Sequence, residues 1–183
     1  MCAVCVSLIA PMVSSSSQVS AATVENVQKN ANETRFLNML NRNFVYNDDF
    51  NDVDTIVNNS MIALLDLRDE INEDYIDETF VKGFVNDMYG IEIADMSKLN
   101  AEYPQIDGFV YIIPRGFTGY EHDIVSVSEN EDGSFTVVSD VTSFDHDGSV
   151  KTQKAVSLFV ENENSAFGYN MIYCNIVENS TDI

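Results

Sequence analysis

An α+β domain is what this sequence predicts, with about three N-terminal helices packed on a four- or five-stranded antiparallel β-meander. Two features carry that expectation. Apolar residues recur at three- and four-residue steps up to residue 89, and at two-residue steps from about residue 91. In the second stretch, clusters such as Asn130-Glu131-Asp132-Gly133 and Asp145-His146-Asp147-Gly148-Ser149 recur between apolar runs, which marks tight hairpins. The 183 residues suit one domain, by the prior of roughly 100–200 residues per domain.

The first helix is expected over residues 24–44, where Val24, Val27, Ala31, Leu37, Leu40 and Phe44 share one face and Glu25, Lys29, Asn32 and Arg35 lie between them. The acidic run Asp48-Asp49-Phe50-Asn51-Asp52 supplies caps for a second helix over about 52–67, because a carboxylate accepts the unpaired amides of a first turn. Val53, Ile56, Val57, Met61, Leu64 and Leu65 give that helix a wide apolar face, so it belongs in the interior. A third helix, about 74–89, presents Ile76, Phe80, Val81, Phe84, Val85 and Met88. It starts among Asp74, Asp77 and Glu78, whose charge suits the positive end of a helix dipole, and stops at Gly90.

Strands follow. Gly108 to Ile113 is short and ends at Pro114-Arg115-Gly116; His122 to Glu129, Ser134 to Phe144, Val150 to Glu161 and Ala166 to Val177 are the successive later strands. Glycine in the Asp-Gly pairs accepts the positive φ that such turns demand. Alternation sets Phe167, Tyr169, Met171 and Tyr173 on one side of the last strand and Ile172, Cys174 and Ile176 on the other. It likewise divides Phe109, Tyr111 and Ile113 from Val110 and Ile112, so both sheet faces are apolar. The helices cover one. The aromatic-rich other needs a second cover, which sheet curvature, a wrapping helix, a ligand or a partner chain would provide. Phe109, Tyr111, Phe135, Tyr169, Met171 and Tyr173 are therefore the candidate ligand-binding residues, against the plainer reading that both layers are core.

Charge narrows the function. Thirty acidic residues stand against nine basic ones, a formal net charge of −21. Binding to nucleic acid or to an anionic membrane surface depends on Lys/Arg clusters that this chain lacks, so neither is an expected partner. At 45% hydrophobic, the chain still has the material of a folded core. Residues 1–22 hold no charge. Their apolar run of about 13 residues is short of the roughly 20 that span a bilayer, and with Val19-Ser20-Ala21 after it reads as a secretory signal, leaving 23–183 as one mature domain. No Lys or Arg precedes Lys29, so either the start lies inside a longer signal or the segment is not a signal, and the former is the expectation. Loss of that segment removes Cys2 and Cys5 and leaves Cys174 alone, so no intramolecular disulfide is expected, a pattern that suits a bacterial exported protein.

The chemical motifs are mostly negative. A Gly-x-Ser-x-Gly elbow, a His-Glu-x-x-His pair, a Gly-rich phosphate loop and paired Cys-x-x-Cys motifs are all missing. Cys174, between Ile172 and Ile176, is expected to be a small buried hydrophobe and not a nucleophile. Both histidines sit between acids, as Glu121-His122-Asp123 and Asp145-His146-Asp147. Alternation sends Glu121 and Asp123 to the face opposite His122, and His146 occupies a hairpin tip; both are expected to be solvated surface histidines. Calcium is the one cofactor the composition invites. An EF-hand register fails from Asn47, with Asp52 and Asn58 at positions 6 and 12, and from Ser143, with Lys154 at position 12. Asp48, Asp49, Asp52 and Asp54 remain as a non-EF candidate set, with helix capping as the other use of the same acids.

Helices first and a curved antiparallel sheet after them make residues 24–177 similar, in element order, to the cystatin-like/NTF2-like α+β fold, in which a helix packs on a bent sheet and encloses a cone-shaped pocket. That resemblance implies a pocket in the sheet and, for an enzyme of this kind, a His/Asp acid-base pair, for which His122 and Asp140 are the residues to test. Asp107-Gly108-Phe109-Val110-Tyr111, Asp132-Gly133-Ser134-Phe135-Thr136-Val137 and Gly168-Tyr169-Asn170-Met171-Ile172 also resemble segments of uncharacterised secreted or lipoprotein-like proteins of Gram-positive gut bacteria, which brings no activity with it. Fold alone does not choose among enzymes, transport factors and accessory modules. The resulting expectation is a secreted or cell-surface acidic domain that binds a small molecule or an extracellular protein through an aromatic sheet face. A pocket enzyme and an acidic inhibitor or cell-surface accessory protein are the alternatives.

Overall fold

A computed structural model of the chain describes residues 21–66, 75–99, 103–111, 119–144 and 148–177, and within them three helices and two antiparallel sheets form. The helices are α1 (Ala21–Leu40), α2 (Val53–Asp66) and α3 (Glu78–Tyr89), with a 3₁₀ turn at Asn47–Asn51 between the first two. Strands β1 (Tyr75–Asp77), β2 (Gln105–Ile106) and β3 (Phe109–Tyr111) make a small sheet in the order β1-β3-β2. Strands β4 (Gly119–Glu129), β5 (Phe135–Phe144), β6 (Val150–Glu161) and β7 (Tyr169–Val177) make the meander in sequential order. The α+β class with N-terminal helices on a meander is thus as expected. The strand around 109–111, expected beside the meander, belongs to the separate small sheet.

Three helix boundaries differ from the apolar spacing: α1 starts at Ala21, within the segment expected as signal, and two others move for a local reason. α1 ends at Leu40, and Phe44 is buried from the loop that follows. α3 begins at Glu78 because Asp77 is its N-cap: Asp77 Oδ1 accepts the Thr79 amide at 2.7 Å and the Thr79 hydroxyl at 2.6 Å. Tyr75 to Asp77 are thereby released into β1, with Ile76 buried and its neighbours turned out. At the other end, Gly90 takes the left-handed φ of 70° that a helix stop requires.

The core lies between the helices and one face of the meander. Phe36 of α1 is wholly buried, and its ring stands 4.6 Å from Phe159, 4.8 Å from Tyr169 and 5.4 Å from Phe135, which joins one helix to three strands. Met61 and Leu64 of α2, Val85 and Met88 of α3, and Val137, Ala155, Met171 and Cys174 of the sheet complete the same cluster. A β-bulge interrupts the pairing of β6 with β7: Leu158 opposes Tyr173 and Phe159 opposes Met171, leaving Ile172 extra. Alternation restarts there. Tyr169 and Met171 point inward before the bulge and Cys174 after it, while Tyr173 is sent to the outer face.

Side-chain amides from loops and from β7 hold the layers in place. Asn170 Nδ2 lies 3.0 Å from the carbonyl of Asn86 and 2.9 Å from that of Asp87, so β7 caps the C-terminus of α3, and Asn162 Nδ2 donates to Asn170 Oδ1 at 2.6 Å. At the sheet edges, Asn41 Oδ1 accepts the outward amide of His122 in β4 at 2.9 Å and Asn47 Oδ1 accepts that of Ile176 in β7 at 3.2 Å. Three hydrogen bonds of the Asn170 side chain, at about 1 kcal/mol net each, set the expectation for Asn170→Ala: a loss of about 3 kcal/mol in urea unfolding with unchanged far-UV circular dichroism. A loss below about 0.5 kcal/mol, the range of an ordinary surface substitution, would contradict the clasp between β7 and α3.

Candidate functional site

The small sheet builds an exposed aromatic cleft. Asp107 and Gly108 take φ of 51° and 85°, the paired left-handed conformation of a two-residue type I′ hairpin, and so set Ile106 opposite Phe109. β1 pairs along the other side of β3, with Tyr75 opposite Tyr111 and Asp77 opposite Phe109, and the Glu78 amide donates to the Gly108 carbonyl at 2.9 Å. Ile76 and Val110 point into the core, so the outward face carries the rest. Ile106 is 63% exposed, Tyr75 46%, Tyr111 44% and Phe109 40%. Tyr75 and Phe109 meet edge to face with centroids 5.3 Å apart. With Asp107 they line a cavity of about 350 Å³ open to solvent, in which Asp107 is the one charged side chain among the described residues.

The expected aromatic face is thereby divided among three places. Phe109 and Tyr111 are in the cleft; Phe135, Tyr169 and Met171 are packed in or against the core; Tyr173 lies on the outer face of the meander because of the bulge. Tyr75 and Ile106 complete the cleft and were not anticipated. Ile106-Asp107-Gly108-Phe109, an Asp-Gly pair between apolar residues, is the signal that would have found Ile106. Tyr173 borders a second groove, of about 400 Å³, with Asn47, Phe50, Asn51, Ile172 and Asn175.

The structure does not bring His122 and Asp140 together. In the β4–β5 ladder His122 lies opposite Val141 and Asp123 opposite Asp140, so the two side chains project from different faces. Asp140 is on the solvent side, ion-paired with Lys154 at 2.7 Å. His122 is not a solvated surface residue; it is buried, with Nδ1 3.0 Å from Ser139 Oγ and Nε2 3.2 Å from the Tyr46 hydroxyl. The Tyr46 hydroxyl donates to the Asn43 carbonyl at 3.1 Å, so it accepts from Nε2–H, and Nδ1 accepts from Ser139. Burial pushes the His122 imidazole down to about 4 and the Tyr46 phenol above its ordinary range, so both stay neutral at physiological pH. Ser139 is fully buried too, and neither side chain lines the described cavities.

The other candidates resolve into structural roles. Cys174 is fully buried, accepts from Ser157 Oγ at 3.2 Å, and has its thiol pushed up to about 11 by burial, which removes the thiolate a nucleophile needs. Asp52 caps α2, with Oδ1 accepting the Asp54 amide at 3.1 Å and Oδ2 the Thr55 hydroxyl at 2.7 Å; the Thr55 bond first of all holds its carboxyl below the usual range. Among the described residues, no three His, Cys, Asp or Glu side chains gather as metal ligands. The Asp48 side chain, His146 and residues 1–20, which carry most of the expected signal, lie outside the described residues. No described helix is long and apolar enough to cross a membrane. Comparison with family models, with curated proteins and with solved structures gives no match.

The buried imidazole has a measurable consequence. Its folded pKa of about 4 lies below the unfolded value of 6.5, so the unfolded state binds more protons between them. The stability that depends on neutral His122 is complete above about pH 6.5 and is lost, by up to about 3 kcal/mol, as pH falls through about 4. The hydrogen-bonded carboxyls of Asp52, Asp77, Asp95 and Asp132 are also held low and add acid sensitivity, but equally in wild type and variant. His122→Gln should therefore flatten the rise in unfolding free energy between pH 4 and 6.5; an unaltered slope would count against the buried neutral imidazole.

Proposed function

We propose that this chain is a non-catalytic binding module whose ligand or protein partner seats an apolar or aromatic group in the cleft of Tyr75, Ile106, Phe109 and Tyr111. One observation carries the reading: four large apolar side chains remain 40% or more exposed on one face of a sheet whose opposite face is core. Covering a side chain of this size is worth about 1.5–3 kcal/mol, and that free energy is available to whatever enters the cleft. A stable protein interface takes roughly 800 Å² per partner, far more than these four side chains offer. The cleft is therefore an anchor pocket, filled by one side chain of a larger partner or by one ring of a small molecule.

Electrostatics selects against some ligands. Asp107 at the rim, within a chain of net charge −21, disfavours carboxylates and phosphates, whereas a cationic group beside the tyrosine rings gains from both charge and ring quadrupole. Binding of this kind needs no cofactor. The catalytic alternative has no comparable support, because His122 and Asp140 occupy different faces of the sheet. Export to the cell exterior rests on the uncharged apolar start of the chain and on Cys174 as the sole cysteine after residue 22. Saturation-transfer NMR with a library of neutral and cationic aromatic fragments tests the cleft. Fragment signals should disappear in Tyr75→Ala/Phe109→Ala and survive in Tyr173→Ala, while the double variant melts near wild type because both side chains face outward. If every hit persists in a folded double variant, or if there are no hits, the cleft is excluded as the site.

A further inference from the structure

We infer that the groove between the 3₁₀ turn Asn47–Asn51 and the bulged part of β7 is a second binding site, one that takes a neutral polyhydroxylated ligand, namely a sugar ring of a saccharide. The groove is about 400 Å³, within the roughly 300–1,000 Å³ of small-molecule pockets, and its chemistry differs from that of the aromatic cleft. Among the described residues, three asparagines, two aromatic rings and Ile172 line it, and none of these is charged, although the chain as a whole carries −21. A carboxamide presents a donor and an acceptor side by side, which pairs with two adjacent hydroxyls; Asn175 is placed to do so, and Asn47 adds a donor. An aromatic ring covers the C–H face that the same sugar presents on its other side.

The backbone is arranged to present these groups. The bulge at Ile172 turns Tyr173 outward, where it is 39% exposed. Asn47 has φ of 54°, and its Oδ1 is held by the Ile176 amide, so the NH₂ of the same carboxamide remains as a donor. No hydrogen bond among the described residues occupies the Asn175 amide, which is half-buried one strand position from Cys174. Phe50 is fixed edge to face against Tyr89, at 5.7 Å and 79°, and does not collapse into the space. A groove that merely docked another protein would present apolar area with a polar rim; this one has amides among its rings.

An array of neutral and acidic oligosaccharides, probed with the full chain, is the first measurement; the best neutral glycan is then titrated while the asparagine side-chain NH₂ resonances are followed. The expected result is a neutral glycan with Kd below about 10 mM that shifts the Asn47 and Asn175 amides. Tyr173→Ala should weaken it at least tenfold, whereas Tyr173→Phe, which keeps the ring, and Tyr75→Ala, in the other cleft, should leave it unchanged. Asn175→Asp, a near-isosteric change at the groove, should weaken it as well and serves if Tyr173→Ala fails to fold. No neutral glycan on the array, selection of acidic glycans only, or binding unaffected by the folded variants would each overturn the assignment.

Discussion

The stretch from Asn41 to Asn47 ties together the two edge strands of the meander, and much of the interior is arranged around it. Asn41 holds the β4 edge through the His122 amide and Asn47 holds the β7 edge through the Ile176 amide. Three inter-strand spacings of about 4.8 Å separate those edges by roughly 14 Å, within the roughly 20 Å that six residues reach when extended, so the strap spans the sheet even though Asn41 to Asn43 continue the helical turn of α1. Between its ends, Phe44 and Val45 are buried, and Asn43 is paired on both sides of its carboxamide: Nδ2 donates to the Val45 carbonyl, while Oδ1 accepts the Val45 amide and the Tyr89 hydroxyl of α3. Tyr46 is thereby delivered to His122. Asn43, Tyr46, Tyr89 and His122 are tolerable in the core because each finds a partner, whereas the buried Ser60 hydroxyl of α2 finds none among the described residues.

Both candidate sites arise where regular geometry is broken. Uninterrupted alternation in β5 sends Val137, Ser139 and Val141 inward and leaves Asp140 in solvent. The cleft instead depends on a two-residue left-handed turn at Asp107-Gly108, and the groove on one inserted residue in β7. Each break moves aromatic side chains out of the core without removing the core beneath. Ile76 and Val110 remain buried under the cleft, and Cys174 remains buried beside the groove. An outward ring supported in this way keeps its position when water is displaced from it, so less ordering entropy is lost on binding.

The legible part of the fold was the part written locally. The α3 stop at Gly90, the positions of β4 to β7 and their hairpins follow from periodicity and turn residues within a few positions of one another. β1 was hidden because Ile76 also fits the apolar spacing of the helix that follows, and only the commitment of Asp77 to capping separates the two. The division of strands between two sheets depends on pairing over distance, which a single sequence does not display. The bulge at Ile172 has no local marker, and it alone moved Tyr173 away from Tyr169 and Met171. His122 looked solvated beside its acids; its burial depends on Asn41 and Tyr46, which lie 81 and 76 residues away. Of the candidate cleft, Phe109 and Tyr111 were legible, whereas Tyr75 depended on recognising β1.

The capped edges bear on how this chain behaves among copies of itself. An outer strand with free amides and carbonyls is a template on which another chain can add a strand. Here β7 has the 3₁₀ turn lodged against it and Asn47 bonded to its backbone, while β4 has Asn41 bonded to its backbone, a bulge between Ile124 and Ser126, and outward Glu121 and Asp123. Because one strap blunts both edges, its detachment would open both together. The same strap buries Asn43, Phe44 and Val45, so exposing the edges costs core packing as well as two hydrogen bonds, and the negative charge along β4 opposes templated addition on that side.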